Sequence, residues 1–185
     1  MTIANLITIG RFILVPCVVL ALLSHRVDLA FAGFVIAGIS DGVDGFVARQ
    51  FNQRSELGAY LDPMADKLLL VSVFVVLGYM GELPLWLVIA AVARDALIVA
   101  AVLLSATMGR PVTVKPLYVS KVNTTAQIVL AALVLAELSF GFNLGWAREA
   151  LIVACGVLTG ASAAAYLVPW LRHMAGNGED ATSGR

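Results

Sequence analysis

Charge is scarce in this chain. Of its 185 residues only 13% are Asp, Glu, Lys or Arg, against about 25% in an average soluble domain. Its 12 basic and 12 acidic residues cancel, so no basic field exists to attract nucleic acid. Cysteine is equally sparse. Cys17 and Cys155 lie alone in separate apolar runs, and without a CxxC or Cys/His spacing they offer no zinc or redox centre. His25 and His173 flank apolar runs, as interfacial side chains do. Period-2 alternation is missing, which rules against membrane strands, and no internal or inverted repeat is visible. The opening Met1-Thr2-Ile3-Ala4-Asn5-Leu6 lacks the basic stretch of a cleaved signal peptide, so the first apolar run is expected to stay in the protein.

What the chain has in abundance is apolar length. With 61% hydrophobic residues, it exceeds the roughly 45–50% of soluble domains. Six apolar runs, near 6–24, 29–48, 58–80, 84–108, 122–140 and 148–171, each approach or exceed the roughly 20 residues of a bilayer crossing. Helices satisfy their own backbone hydrogen bonds in lipid. The expected fold class is therefore all-α, a polytopic membrane protein of six transmembrane helices. It forms one domain over 1–174, followed by a polar, disordered tail over 175–185. Arg49, Arg54, Arg110, Lys115, Lys121, Arg172 and Arg185 fall in or beside the turns after the second, fourth and sixth runs, with Arg26 and Arg148 on the other side. The positive-inside rule then places both termini in the cytoplasm, as in a bacterial inner membrane.

Against this apolar background stand Asp41, Asp44, Asp62 and Asp66, on the second and third runs. Each acidic side chain inside a membrane costs roughly 2.5–3.5 kcal/mol, so four uncompensated ones would cost on the order of 10 kcal/mol. Helical spacing explains their pattern. Asp41 and Asp44 are three residues apart, and Gly45 and Ala48 continue their face; Gly58, Asp62 and Asp66 share another at intervals of four. The two runs are consecutive and antiparallel, and the small Gly45, Ala48 and Gly58 permit close approach. The outcome is a cage of carboxylate oxygens suited to two divalent cations, Mg²⁺ or Mn²⁺ rather than zinc. Such a pair neutralises a pyrophosphate and stabilises attacking and leaving oxygens. Asp66 can also serve as general base, Arg49 can meet a phosphate, and Ser55 can donate a hydrogen bond. A transporter would spread its acidic residues across repeats, whereas all four lie in one hairpin. An intramembrane prenyltransferase, which also uses Asp-rich pairs, would show neither Ala48-Arg49 nor the fixed Gly58.

The run Asp-x2-Asp-Gly-x2-Ala-Arg-x8-Gly-x3-Asp-x3-Asp, filled by Asp41, Asp44, Gly45, Ala48, Arg49, Gly58, Asp62 and Asp66, resembles the signature of CDP-alcohol phosphatidyltransferases. The resemblance extends over about 5–171. It implies that an acceptor hydroxyl attacks the β-phosphorus of CDP-diacylglycerol with release of CMP, and that relatives act as homodimers. It further implies that Asp41 and Asp62 bridge both metals, that Asp44 and Asp66 complete one site each, and that Asp66 is the base. Gly45, Arg49 and Ser55 would contact the CDP moiety, as would Asn5, Thr8 and Arg11 of the N-terminal segment. Arg11 lies in an apolar run, so it must find an anion or reach water.

The acceptor is read elsewhere. Lys115-Pro116, then Ser120-Lys121-Val122-Asn123-Thr124, resembles the branch of the family that joins phosphatidylglycerol to form cardiolipin. Lys121, Thr124 and Thr125 partly satisfy the pattern of the branch that uses glycerol 3-phosphate, which stays as the alternative. Either acceptor is an anionic glycerol phosphate, so Arg94, Lys115, Lys121 and Asn123 are the candidate acceptor contacts. Lys115 and Lys121 also suit plain contact with anionic lipid. Arg94 and Asp95 are adjacent and one reading is a self-satisfied ion pair, but neighbours on a helix do not face each other. Arg94 is therefore expected to reach for the acceptor's phosphate.

Overall fold

The computed structural model describes residues 3–51, 56–107 and 118–176, with side chains over 10–40, 65–101, 104 and 118–170. These residues form six helices: α1 (Ile3–Leu23), α2 (Val27–Phe51), α3 (Glu56–Tyr79), α4 (Leu85–Thr107), α5 (Tyr118–Phe140) and α6 (Trp146–Gly176). No strand occurs among them. The all-α expectation holds. Several helices outrun the apolar stretches that announced them. α2 continues through Arg49 to Phe51 and α6 to Gly176, because hydropathy marks the buried or lipid-facing part of a helix and not its hydrogen-bonded end.

The helix ends are set by local chemistry. α1 closes with Arg26 N–H donating to Ala21 O (2.8 Å) and His25 N–H to Leu22 O (3.0 Å), which is a Schellman closure. Its left-handed position is occupied by His25, at φ 56°, where glycine is the usual residue. α3 closes the same way through Glu82 N–H to Leu77 O (2.9 Å), with Gly81 at φ 81°. Pro84 accepts from Leu87 and Val88 and so opens α4.

The packing order makes a closed ring. α1 packs on α2, α2 on α5, α5 on α6, α6 on α4, α4 on α3 and α3 on α1, with an α3–α5 contact across the middle. That central contact carries the core: Val73, Phe74 and Leu77 of α3 and Leu130, Val134 and Leu135 of α5 are each at most 2% exposed. Small residues bring helices close. A Cβ on Gly33 would sit 2.8 Å from Val18 Cγ2 of α1, and one on Gly156 would sit 2.6 Å from the Trp86 ring of α4.

The outside is apolar as well. Leu20, Ile39, Ile89 and Val157 are more than half exposed, and Tyr79, Trp86, Phe140 and Trp146 are exposed around one end of the bundle. Exposed aliphatic side chains with aromatics at the helix ends are the surface of a membrane protein. Among the described residues, Tyr118–Phe140 and Trp146–Trp170 are long and apolar enough to cross a bilayer.

One end of the ring is tied by charge. Arg148, at the start of α6, reaches Glu82 Oε2 (2.8 Å) and its carbonyl, between α3 and α4, and Glu137 Oε2 (3.2 Å) on α5. Glu137 Oε1 also accepts from Leu144 N–H (3.2 Å). Phe31 of α2 meets Phe140 of α5 edge-on at 5.5 Å at this same end.

Candidate active site

α2 and α3 share two neighbours, α1 and α5, and only four residues join them, a link of at most about 18 Å. At 1.5 Å per residue, Asp44 lies about 10 Å from the end of α2 and Asp62 about 9 Å from the start of α3, while Asp41 and Asp66 are both about 15 Å in. The four aspartates therefore stand at matching depths, measured from the linked ends of two helices that both pack on α1 and α5. The side chains of Asp41, Asp44 and Asp62 lie outside the described residues, as do those of Asn5, Thr8 and Arg49 and the surroundings of Gly45. Ser55 and Lys115 fall wholly outside them, as does the tail beyond Gly176. Among the described residues no group of three or more His, Cys, Asp or Glu could hold a metal; the expected cage draws three of its four members from beyond them.

Asp66 is described, and its partner comes from α1. Arg11 Nη1 donates to Asp66 Oδ1 at 2.6 Å, with the arginine side chain 1% exposed and the aspartate 39%. A buried cation in an apolar helix must meet an anion, and here it meets the last aspartate of the motif. Sequence reasoning required an anion for Arg11 and looked for it on a nucleotide. The structure supplies one from within the chain.

A second polar cluster begins one residue further along α3. Lys67 Nζ lies 2.7 Å from Asp95 Oδ1 on α4, and the same oxygen accepts from Arg94 Nη1 at 2.6 Å. Arg94 is 2% exposed. Its Nε and Nη2 donate to Ser162 Oγ of α6 at 3.1 and 2.6 Å, and Nη2 also donates to Ser120 Oγ of α5 at 2.5 Å. Of the two readings the sequence offered for Arg94, pairing with its neighbour Asp95 is the one formed here. The Cβ atoms diverge, but a guanidinium on a long flexible stem folds back to the adjacent carboxylate. The cluster thus spans α3, α4, α5 and α6, with two cations sharing one carboxylate.

The remaining acceptor candidates separate. Lys121 is exposed near the start of α5. Asn123 is fully buried, and its Oδ1 accepts from Thr159 Oγ1 at 3.0 Å, next to a Gln127–Thr159 contact of 3.4 Å. That geometry makes Asn123 part of an α5–α6 hydrogen-bonded seam, enclosed by packing. Sequence reasoning missed Lys67 and Ser162, and took Ser120 only as part of a motif, without its tie to Arg94. Lys67 carried a signal, since a lysine inside an apolar run needs a partner. Ser162, in a run of small residues, carried none.

Carboxylate oxygens alone, at matching depths, are the donor set that hard divalent cations take. Four carboxylates would balance the charge of two such ions, so the residues fit that pair.

Comparison with known proteins places these residues in context. A family model described as CDP-alcohol phosphatidyltransferase matches residues 1–162. A human protein named cardiolipin synthase (CMP-forming) is 35% identical over 157 residues, which cover 76% of this chain and 52% of that protein. The rat protein of the same name is 34% identical over 89% of this chain and 60% of its own length. A chloroplastic CDP-diacylglycerol–glycerol-3-phosphate 3-phosphatidyltransferase from rice is 33% identical over 74% of this chain and 47% of its own length. The chain therefore spans between about half and three-fifths of these relatives.

Proposed function

We propose that this chain, which belongs to the CDP-alcohol phosphatidyltransferase family, transfers a phosphatidyl group from CDP-diacylglycerol to a glycerol-based acceptor and releases CMP. The observation that carries this reading is the complete aspartate pattern from Asp41 to Asp66 inside the matched span. By helical rise its four members lie at matching depths on two helices that share α1 and α5 as neighbours.

In this reading six helices cross the bilayer, both termini are cytoplasmic, and the acidic hairpin opens to the cytoplasm where the nucleotide enters. Two divalent cations, Mg²⁺ or Mn²⁺, held by Asp41, Asp44, Asp62 and Asp66, supply charge neutralisation for the pyrophosphate. Asp66 takes the proton of the attacking acceptor hydroxyl, and Arg11 fixes its carboxylate for that step. Asn5, Thr8, Gly45, Arg49 and Ser55 orient the CDP moiety, and Arg49 offers a guanidinium to a phosphate. The hydroxyl oxygen bonds to the β-phosphorus as the bond to CMP breaks, and CMP carries the departing electron pair.

The acceptor is assigned as phosphatidylglycerol, giving cardiolipin, with the protein acting as a homodimer. The acceptor rests on the Ser120–Thr124 run and on the human and rat relatives of that name, and the homodimer on the family resemblance alone. Arg94, Lys115 and Lys121 would meet the acceptor's phosphate, and the buried Asn123 supports the helices behind them. The rice relative keeps glycerol 3-phosphate as the second reading. The test is to offer the protein in nanodiscs CDP-diacylglycerol with either acceptor and to identify the lipid by mass spectrometry. Cardiolipin and CMP are expected, with loss on chelation and return with Mg²⁺ or Mn²⁺. Failure to release CMP with either acceptor overturns the reading.

A further inference from the structure

Two cations meet one carboxylate where α3 faces α4. Lys67 Nζ and Arg94 Nη1 lie 2.7 and 2.6 Å from the same Asp95 Oδ1, so the trio carries one net positive charge. The cations are held unequally. The Arg94 side chain is 2% exposed, and all three of its nitrogens are engaged, by Asp95, Ser120 and Ser162. The Lys67 side chain is 43% exposed, and an ion pair that open to solvent is weakly held. When Lys67 leaves, Arg94 still neutralises Asp95, and no buried charge is stranded.

The place of Lys67 in the chain gives that freedom a use. It directly follows Asp66, whose side chain is 39% exposed. The two side chains leave α3 about 100° apart, Asp66 toward Arg11 of α1 and Lys67 toward Asp95 of α4. The residues assigned to the nucleotide lie on α1, α2 and the link after it, which leaves the α4 side of Asp66 to the acceptor. Ser120, which opens the acceptor run on α5, is tied to the trio through Arg94. A long side chain on a helix runs back toward the helix's N-terminus, and for α3 that end is Glu56, at the link to α2. A freed Lys67 ammonium therefore swings toward the level of Asp62, where the acidic hairpin opens.

We propose that Lys67 is an acceptor-binding residue. Its ammonium leaves Asp95 for a phosphate oxygen of the acceptor and so sets the attacking hydroxyl beside Asp66. Arg94 serves that phosphate from behind, by keeping Asp95 neutralised when Lys67 departs. The inference rests on the phosphatidyl-transfer reading and deepens it. The ligand chemistry is a glycerol phosphate oxyanion, supplied by a lipid headgroup or by free glycerol 3-phosphate.

Kinetics and spectroscopy test this separately. Lys67→Met should raise the acceptor KM about ten- to a hundredfold, the worth of a hydrogen bond to a charged group. The KM for CDP-diacylglycerol should stay within about twofold, and Lys67→Arg should recover most of the loss. Independently, the chain has three lysines, Lys67, Lys115 and Lys121, whose amines can be followed by 13C NMR after reductive methylation, which keeps their charge. In phosphatidylcholine nanodiscs without CDP-diacylglycerol, the Lys67 signal should shift on adding phosphatidylglycerol or glycerol 3-phosphate and stay in place with uncharged diacylglycerol. The arm that moves it names the source of the phosphate. An acceptor KM unchanged in Lys67→Met, an equal rise in the KM for CDP-diacylglycerol, or a Lys67 signal unmoved by both acceptors overturns the proposal. The signal is read without turnover, so failure to release CMP and failure at Lys67 are told apart.

Discussion

Asp95 is the residue whose loss should cost the fold most within the polar cluster. It is the one carboxylate that Lys67 and Arg94 share, at 2.7 and 2.6 Å. Asp95→Asn keeps the shape and one acceptor oxygen but leaves two cations facing each other. The two are unequal. The Arg94 side chain is 2% exposed and cannot reach water, whereas Lys67 is 43% exposed and can extend its ammonium outward. Stranding a buried cation costs about 3–5 kcal/mol, reduced here by the hydrogen bonds that Arg94 donates to Ser120 and Ser162, so a loss of about 3 kcal/mol is expected. Lys67→Met leaves Asp95 paired with Arg94 and neutral overall, and removes a half-exposed pair of about 0–1 kcal/mol. The gap of about 2 kcal/mol is roughly a thirtyfold difference in the folding equilibrium. Unfolding by SDS titration in mixed micelles, followed by tryptophan fluorescence, reads it directly. If Lys67→Met costs as much as Asp95→Asn, the shared-carboxylate argument fails.

Other expectations follow from single contacts. His25→Gly should stabilise the protein by about 1 kcal/mol, since glycine removes the left-handed strain at the end of α1; a lowered SDS midpoint would contradict this. Gly33→Leu should destabilise by about 1–3 kcal/mol through overpacking against Val18, read in the same titration. Asp66→Asn should abolish CMP release, and Arg11→Lys should restore little to an Arg11→Ala variant, since the shorter ammonium cannot hold the carboxylate as a guanidinium does. Near-normal turnover in Asp66→Asn would remove it as the base. Arg148→Ala should cost about 2 kcal/mol by leaving Glu137 buried without its cation, visible as faster hydrogen exchange at the α5–α6 turn.

The six helices were legible because each announces itself as a long apolar stretch, and six such stretches cannot hide in 185 residues. The ring order was not legible. Nothing in the apolar runs says that α2 neighbours α5 or that α4 neighbours α6, since such contacts depend on shape at positions such as Gly33 and Gly156. The acidic hairpin was visible from spacing alone, because charge in an apolar run is conspicuous. The partner of Arg11 was not, because a long side chain can satisfy itself on a residue 55 positions away, whereas the Arg94–Asp95 pair was one of two readings open from adjacency. Serine is the least legible case: Ser120 and Ser162 differ from other small helix residues only by the hydroxyls that Arg94 uses.

The Arg148 tie has a mechanical meaning. By fastening the α3–α4 turn, α5 and the head of α6 at one end, it turns the helices into levers pivoted there. α4 and α5 each have 23 residues, about 35 Å at 1.5 Å per residue, so a swing of about 5° at the pivot moves the far tip by about 3 Å. Asp66 on α3 and Arg94 on α4 sit partway along such arms, where small angular play becomes useful travel. Spin labels on α4 and α6 should show narrow distance distributions beside Arg148 and broader ones toward Trp170, like the jaws of tweezers measured from the hinge outward.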